Sequence, residues 1–71
     1  MLVLVTGATG FLGRRVVPAL LERHYQVRCL VHTPGGERVF DDRSLDMYYG
    51  SVTDPEALSE ALQGVDSVIH L

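Results

Sequence analysis

The chain changes its hydrophobic period in blocks. Leu2 to Val5 is an unbroken apolar run closed by Thr6 and Gly7. A run that short and rich in β-branched residues predicts a strand buried on both faces. From Phe11 to Arg23 the period is helical: Gly13, Val16, Val17, Leu20 and Leu21 recur at i, i+3, i+4, i+7 and i+8, the apolar stripe of a helix lying on a sheet. Pro18 falls inside this pattern, where its missing N–H costs about 3 kcal/mol. The stripe continues beyond it, so a kink is expected and not an end. Gln26 to Val31 reads as a second strand, with Val27, Cys29 and Val31 alternating with Arg28 and Leu30. The step from helix to strand has no glycine, so His24 is expected to take the left-handed conformation that closes a helix.

After a turn-forming His32-Thr-Pro-Gly-Gly36, the polar stretch Glu37 to Ser44 predicts an exposed connection, and Leu45 to Tyr49 a third strand ended by Gly50. A second helix is predicted from Pro55 to Gln63, with Leu58, Ala61 and Leu62 on its apolar face. Its start is well specified: Asp54 as N-cap, Pro55 at the first helical position, Glu56 near the positive end of the dipole. Gly64 is a natural stop, and Val65 to Leu71 predicts a fourth strand.

Between the first strand and first helix, Gly7, Gly10 and Gly13 are spaced three apart in Thr-Gly-Ala-Thr-Gly-Phe-Leu-Gly13. Strand, glycine turn, helix is the context in which such glycines hold a dinucleotide. The first lets the chain turn out of the strand, the second lets backbone approach a pyrophosphate, and the third lets the helix pack on the strand. The backbone N–H groups near Phe11 and Leu12 are then free to face an anion.

Composition narrows the chemistry. At 71 residues, 46% of them hydrophobic, the chain provides one small domain at most. A net charge of −3 gives no reason to expect nucleic acid or an anionic membrane as partner. Neither a signal peptide nor a membrane span is visible, which points to the cytoplasm. The lone Cys29 lies in an apolar run and reads as a buried thiol. All six basic residues are arginine, so the Gly-Lys-Ser/Thr of a P-loop is impossible and triphosphate hydrolysis is excluded. No metal site is expected: His70 has no second ligand at a suitable spacing and reads as a structural strand histidine.

The spelling of the glycine turn resembles that of the extended and atypical short-chain dehydrogenase/reductases, which include NAD(P)-dependent sugar epimerases, dehydratases and NmrA-like reductases and regulators. Val27-Arg-Cys-Leu-Val-His32 resembles the Val-Arg-x-Leu-Val-Arg found at the second strand of atypical members, with His in the last place. Gly50-Ser-Val-Thr-Asp54 resembles the family's Gly-Asp-Leu-x-Asp turn, with Ser51 in place of the acid. Val65-Asp-Ser-Val-Ile-His-Leu71 is similar to its Val-Asp-x-Val-Ile-His-Leu segment. The resemblance implies an α/β fold, the N-terminal half of a Rossmann-type doubly wound parallel sheet in strand order 3-2-1-4 with right-handed crossovers.

The same resemblance implies that residues 1–71 are part of a longer NAD(P)-binding domain and hold the ADP half of the cofactor. Gly7, Ala8, Thr9, Gly10, Phe11, Leu12 and Gly13 would take the pyrophosphate, His32 and Thr33 the adenosine ribose, Ser51 and Val52 the adenine. The cofactor is NADP or NAD, with NADP favoured because no acid precedes Glu37 at the strand 2 tip, where an acid ~20 residues after the glycines would select NAD. No catalytic residue is assigned. The family's Tyr-x-x-x-Lys pair cannot occur, since Tyr25, Tyr48 and Tyr49 are followed four residues later by Cys29, Val52 and Thr53. Expected partners are the cofactor, the rest of a longer chain, and a further copy or a larger complex. An enzyme and a non-enzymatic regulator or accessory subunit both remain open.

Overall fold

The computed structural model describes residues 1–32 and 45–71. The expected connection from Glu37 to Ser44, and Thr33 with the loop that follows it, lie outside the described residues. In chain order the elements are β1 (Leu2–Thr6), α1 (Gly13–Glu22), β2 (Gln26–Val31), β3 (Asp46–Tyr49), α2 (Pro55–Leu62) and β4 (Ser67–His70). The four strands form one parallel sheet in the order β3-β2-β1-β4. That is the order expected from the sequence.

Side-chain alternation divides the core between the two faces. Val3, Val5, Val27, Cys29 and Val31 point to one face and are buried with Val17 of α1. Leu4 and Leu30 point to the other and meet Ala61 of α2. β1 is therefore buried on both faces, with Leu4 and Val5 fully so. Burying an aliphatic side chain of this size contributes about 1.5–3 kcal/mol, so the central strands hold the fold and the outer ones complete it.

Element ends differ from the sequence pattern by one or two residues. β1 extends to Thr6, and α1 begins at Gly13, not Phe11, because Leu12 is its N-cap residue. α1 ends at Glu22, α2 at Leu62, β3 begins at Asp46, and β4 is confined to Ser67–His70. α1 runs through Pro18 without ending, and Pro18 is exposed. The carbonyl that proline leaves without a partner is therefore on the wet side of the helix.

The end of α1 is a Schellman motif built on histidine. His24 has φ +66°; its N–H donates to the Leu21 carbonyl, and the Tyr25 N–H donates to that of Leu20. These are the two bonds that close a helix when the following residue is left-handed. α2 starts as its sequence dictates, with the Asp54 carboxylate accepting from the Glu56 N–H at 3.1 Å.

One charged side chain is carried into the interior by the alternation. Arg28 points to the α2 face and is almost buried. Its Nε donates to Asp46 Oδ2 at 2.9 Å, and its Nη1 donates to the carbonyls of Ala61 and Gln63 at 2.8 and 2.7 Å. The guanidinium also lies 4.6 Å from the Tyr48 ring centroid. A cation at the carbonyl end of α2 complements the helix dipole.

Candidate functional site

β1 delivers the chain to Gly7, whose φ of +71° is a conformation that glycine adopts without cost. A Cβ there would lie 2.7 Å from the Leu71 carbonyl oxygen. The turn is closed by the Gly10 N–H donating to the Gly7 carbonyl and by Arg14 Nε donating to the Thr9 carbonyl. At Gly13 a Cβ would come within 2.1 Å of the Ala8 carbonyl oxygen, so this glycine permits α1 to touch the turn.

Gly10 is different. It is exposed, and the nearest atom to a Cβ there is 3.5 Å away, an ordinary contact. The fold gives no steric reason for glycine at this position.

The two helix starts differ in the same sense. α2 has a side-chain cap and an acid in its first turn; α1 has neither. Among the described residues no acceptor meets the N–H of Phe11 or Leu12. The N-terminus of α1 thus keeps its free donors and its positive dipole end, the arrangement that receives a phosphate.

Beside this turn, at the carboxyl ends of the strands, lies a groove of about 280 Å³, at the small end of the range for ligand pockets. It runs across the ends of β2, β1 and β4, beside the point between β1 and β4 where the strand order reverses, the switch point at which open α/β sheets bind ligands. Of the residues picked out in the sequence, Gly7, Thr9, His32, Ser51 and Val52 line it. Ala8 and Gly13 do not, being buried beneath the turn, while Gly10, Phe11 and Leu12 stand exposed beside it and outside its lining. Phe11 carries the Arg15 guanidinium 4.7 Å from its ring centroid.

Ser51 reaches the groove with its hydroxyl already engaged. Ser51 Oγ accepts from the Thr53 N–H at 3.1 Å and shares a hydrogen bond with Thr53 Oγ1 at 2.7 Å. Little acceptor capacity remains for an exocyclic amine. The stronger chemistry left at this end is apolar contact with the half-exposed Val52.

Among the wall residues not assigned to the site from the sequence, Thr6 and His70 carry polar side chains. Thr6 and His70 are register partners on β1 and β4, and Thr6 Oγ1 is hydrogen-bonded to His70 Nδ1 at 2.5 Å. The sequence signal was the position of His70 at the last place of a strand beside the glycine turn. Among the described residues, no acidic side chain lines the groove. A larger groove of about 450 Å³ between α1 and β4 is mainly apolar, with no glycine turn in its wall.

A parallel switch point, a glycine turn feeding an uncapped helix and a groove without carboxylates among the described residues together define a nucleotide-binding α/β unit. The chain belongs to the NAD dependent epimerase/dehydratase family, whose model matches residues 3–71. It is 39% identical over 69 residues to the photosystem II assembly factor Ycf39 of Trieres chinensis, covering 97% of this chain and 22% of that protein. It is 37% identical over 70 residues to sterol demethylase protein B of Methylococcus capsulatus, covering 99% and 21%. A solved short-chain dehydrogenase/reductase superfamily protein from Agrobacterium tumefaciens with bound NAD superposes with a TM-score of 0.81 at 38% identity, covering all of this chain and 20% of that one. The chain thus spans about a fifth of the length of the proteins it matches.

Proposed function

We propose that this segment binds the ADP half of a nicotinamide dinucleotide. The observation that carries the reading is the pairing of Gly10, a glycine the fold does not need, with the uncapped N-terminus of α1. A pyrophosphate on Gly7–Gly13 would receive the free N–H groups of Phe11 and Leu12 and the positive end of the helix dipole. His32, with Thr33, would meet the adenosine ribose; Val52 would supply an apolar wall for the adenine, and Ser51 a hydroxyl. The bound dinucleotide supplies hydride exchange. This segment supplies binding and orientation, and contains no Tyr-x-x-x-Lys.

The parent protein is proposed to be an NAD(P)-dependent epimerase, dehydratase or reductase. A second reading, a binding protein without turnover, is favoured by the 39% identity to a protein described as an assembly factor. Calorimetric titration of the intact protein with NAD, NADP and ADP tests the binding. Comparable affinity for ADP and NAD is expected if the segment holds the ADP half; no binding of any of the three would overturn the proposal. Turnover with carbonyl or sugar-nucleotide substrates then separates the two readings.

A further inference from the structure

The pairing of Thr6 with His70 determines which nitrogen of the imidazole is available to a ligand. Thr6 is 3% exposed, and among the described residues its hydroxyl has no partner other than His70 Nδ1. Two arrangements satisfy the heavy-atom geometry. If Nδ1–H donated to Thr6 Oγ1, the buried hydroxyl proton would have no acceptor. If the hydroxyl donates to a bare Nδ1, its proton is satisfied and only a lone pair is left over. An unmet buried donor is the costlier outcome. The second arrangement therefore prevails, and it places the ring proton on Nε2, since the bond made by one imidazole nitrogen sets the state of the other.

His70 lines the groove at the β4 side of the glycine turn, while His32 lines it at the β2 side. Among the described residues Nε2 of His70 has no partner. Between the two histidines, the wall carries no acidic side chain among the described residues.

We infer that His70 is a binding residue of the dinucleotide site, its Nε2–H donating a hydrogen bond to a phosphate or ribose oxygen, with Thr6 as the positioning residue that fixes the tautomer. The inference rests on the dinucleotide-binding reading. It adds an imidazole donor on the β4 wall, beside the backbone N–H groups of the turn. A ligand oxygen held there would lie on the side of the switch point opposite His32. The sheet pairing that brings Thr6 level with His70 is what makes the donor rigid.

The test uses the intact protein with NAD and ADP as probes, and two substitutions that separate the ring nitrogens. His70→Asn keeps a polar group near Nδ1 for Thr6 and removes Nε2. His70→Gln places an amide donor near the position of Nε2. Loss of one hydrogen bond to a charged group predicts about tenfold weaker binding in His70→Asn, with His70→Gln retaining most of the affinity. Nitrogen-15 spectra of the imidazole in unsubstituted protein should show the Nε2-protonated tautomer, with that resonance shifting on saturation with NAD; Thr6→Val should mix the tautomers. Unchanged affinity in a folded His70→Asn, or an Nδ1-protonated ring in the unsubstituted protein, overturns the inference while leaving the dinucleotide reading intact. Absence of binding by the unsubstituted protein overturns both.

Discussion

Arg28 and Asp46 are joined across β2 and β3 by a hydrogen-bonded ion pair of 2.9 Å, and the same guanidinium closes the carbonyl end of α2. The two partners are not equivalent: the Arg28 side chain is 11% exposed and that of Asp46 50%. Truncating the arginine strands the buried Ala61 carbonyl and the part-buried one of Gln63, whereas truncating the aspartate frees a group that water can reach. Arg28→Met is expected to destabilise the intact protein by about 2–4 kcal/mol, and Asp46→Asn by no more than about 1 kcal/mol. Denaturant titration of both variants checks the order; equal losses would show that the ion pair, and not the helix end, is what Arg28 stabilises.

Arg28 also shows where sequence reading stops. Alternation along β2 assigned its face, but a single strand carries no sign that α2, more than thirty residues later, will end above it. Both helices and the glycine turn were legible because each rests on local periodicity, a fixed spacing or a cap within a few residues, while the strand order followed from the family resemblance. The wall of the groove was half legible. Gly7, Thr9, His32, Ser51 and Val52 follow from motif positions, while the Thr6–His70 contact depends on the register of two strands separated by most of the chain. Thr33 lies outside the described residues.

Two of the turn glycines are predicted to fail in different ways. Gly13→Ala forces a Cβ against the Ala8 carbonyl at 2.1 Å, so backbone must move, and a loss of several kcal/mol of stability is expected. Gly10→Ala meets nothing closer than 3.5 Å and should change stability by less than about 0.5 kcal/mol, yet weaken cofactor binding at least tenfold. Melting temperature and dissociation constant measured on both variants check this. Wild-type affinity in Gly10→Ala would remove the pyrophosphate from this turn.

His24 holds a left-handed conformation at φ +66°, which costs a non-glycine residue roughly 1–2 kcal/mol. Glycine relieves that strain but loses more chain entropy on folding. His24→Gly is therefore expected to raise stability by up to about 1 kcal/mol. Equilibrium unfolding of the intact protein measures it, and a destabilised variant would mean that the imidazole itself contributes at the helix end.

Burial pushes the Cys29 thiol from 9.0 up to about 11, with the negative charge of Asp46 adding to the rise. A group whose folded value is raised holds its proton more tightly when folded. Its contribution is intact below the unfolded value, and is lost as pH rises through the folded one. Stability should therefore fall between about pH 9 and pH 11, by up to roughly 2–3 kcal/mol at 1.36 kcal/mol per unit. Cys29→Val should flatten that part of the profile, read as the difference between the two proteins across the alkaline range. Identical alkaline slopes would show that Cys29 ionises as readily in the folded chain as in the unfolded one.

The groove has no acidic side chain among the described residues to repel a 2′-phosphate, and His32 stands at the strand end where a basic residue would meet it. The intact protein is expected to bind NADP at least as tightly as NAD. One charge-assisted contact limits the gain to about ten- to a hundredfold. His70 is the other histidine in the groove wall, so the preference must be assigned by substitution. Dissociation constants for both cofactors, measured in native protein, in His32→Ala and in His70→Gln, provide the assignment. The NADP preference should be lost in His32→Ala and kept in His70→Gln; a ratio left unchanged by His32→Ala would leave His32 with no part in choosing the cofactor.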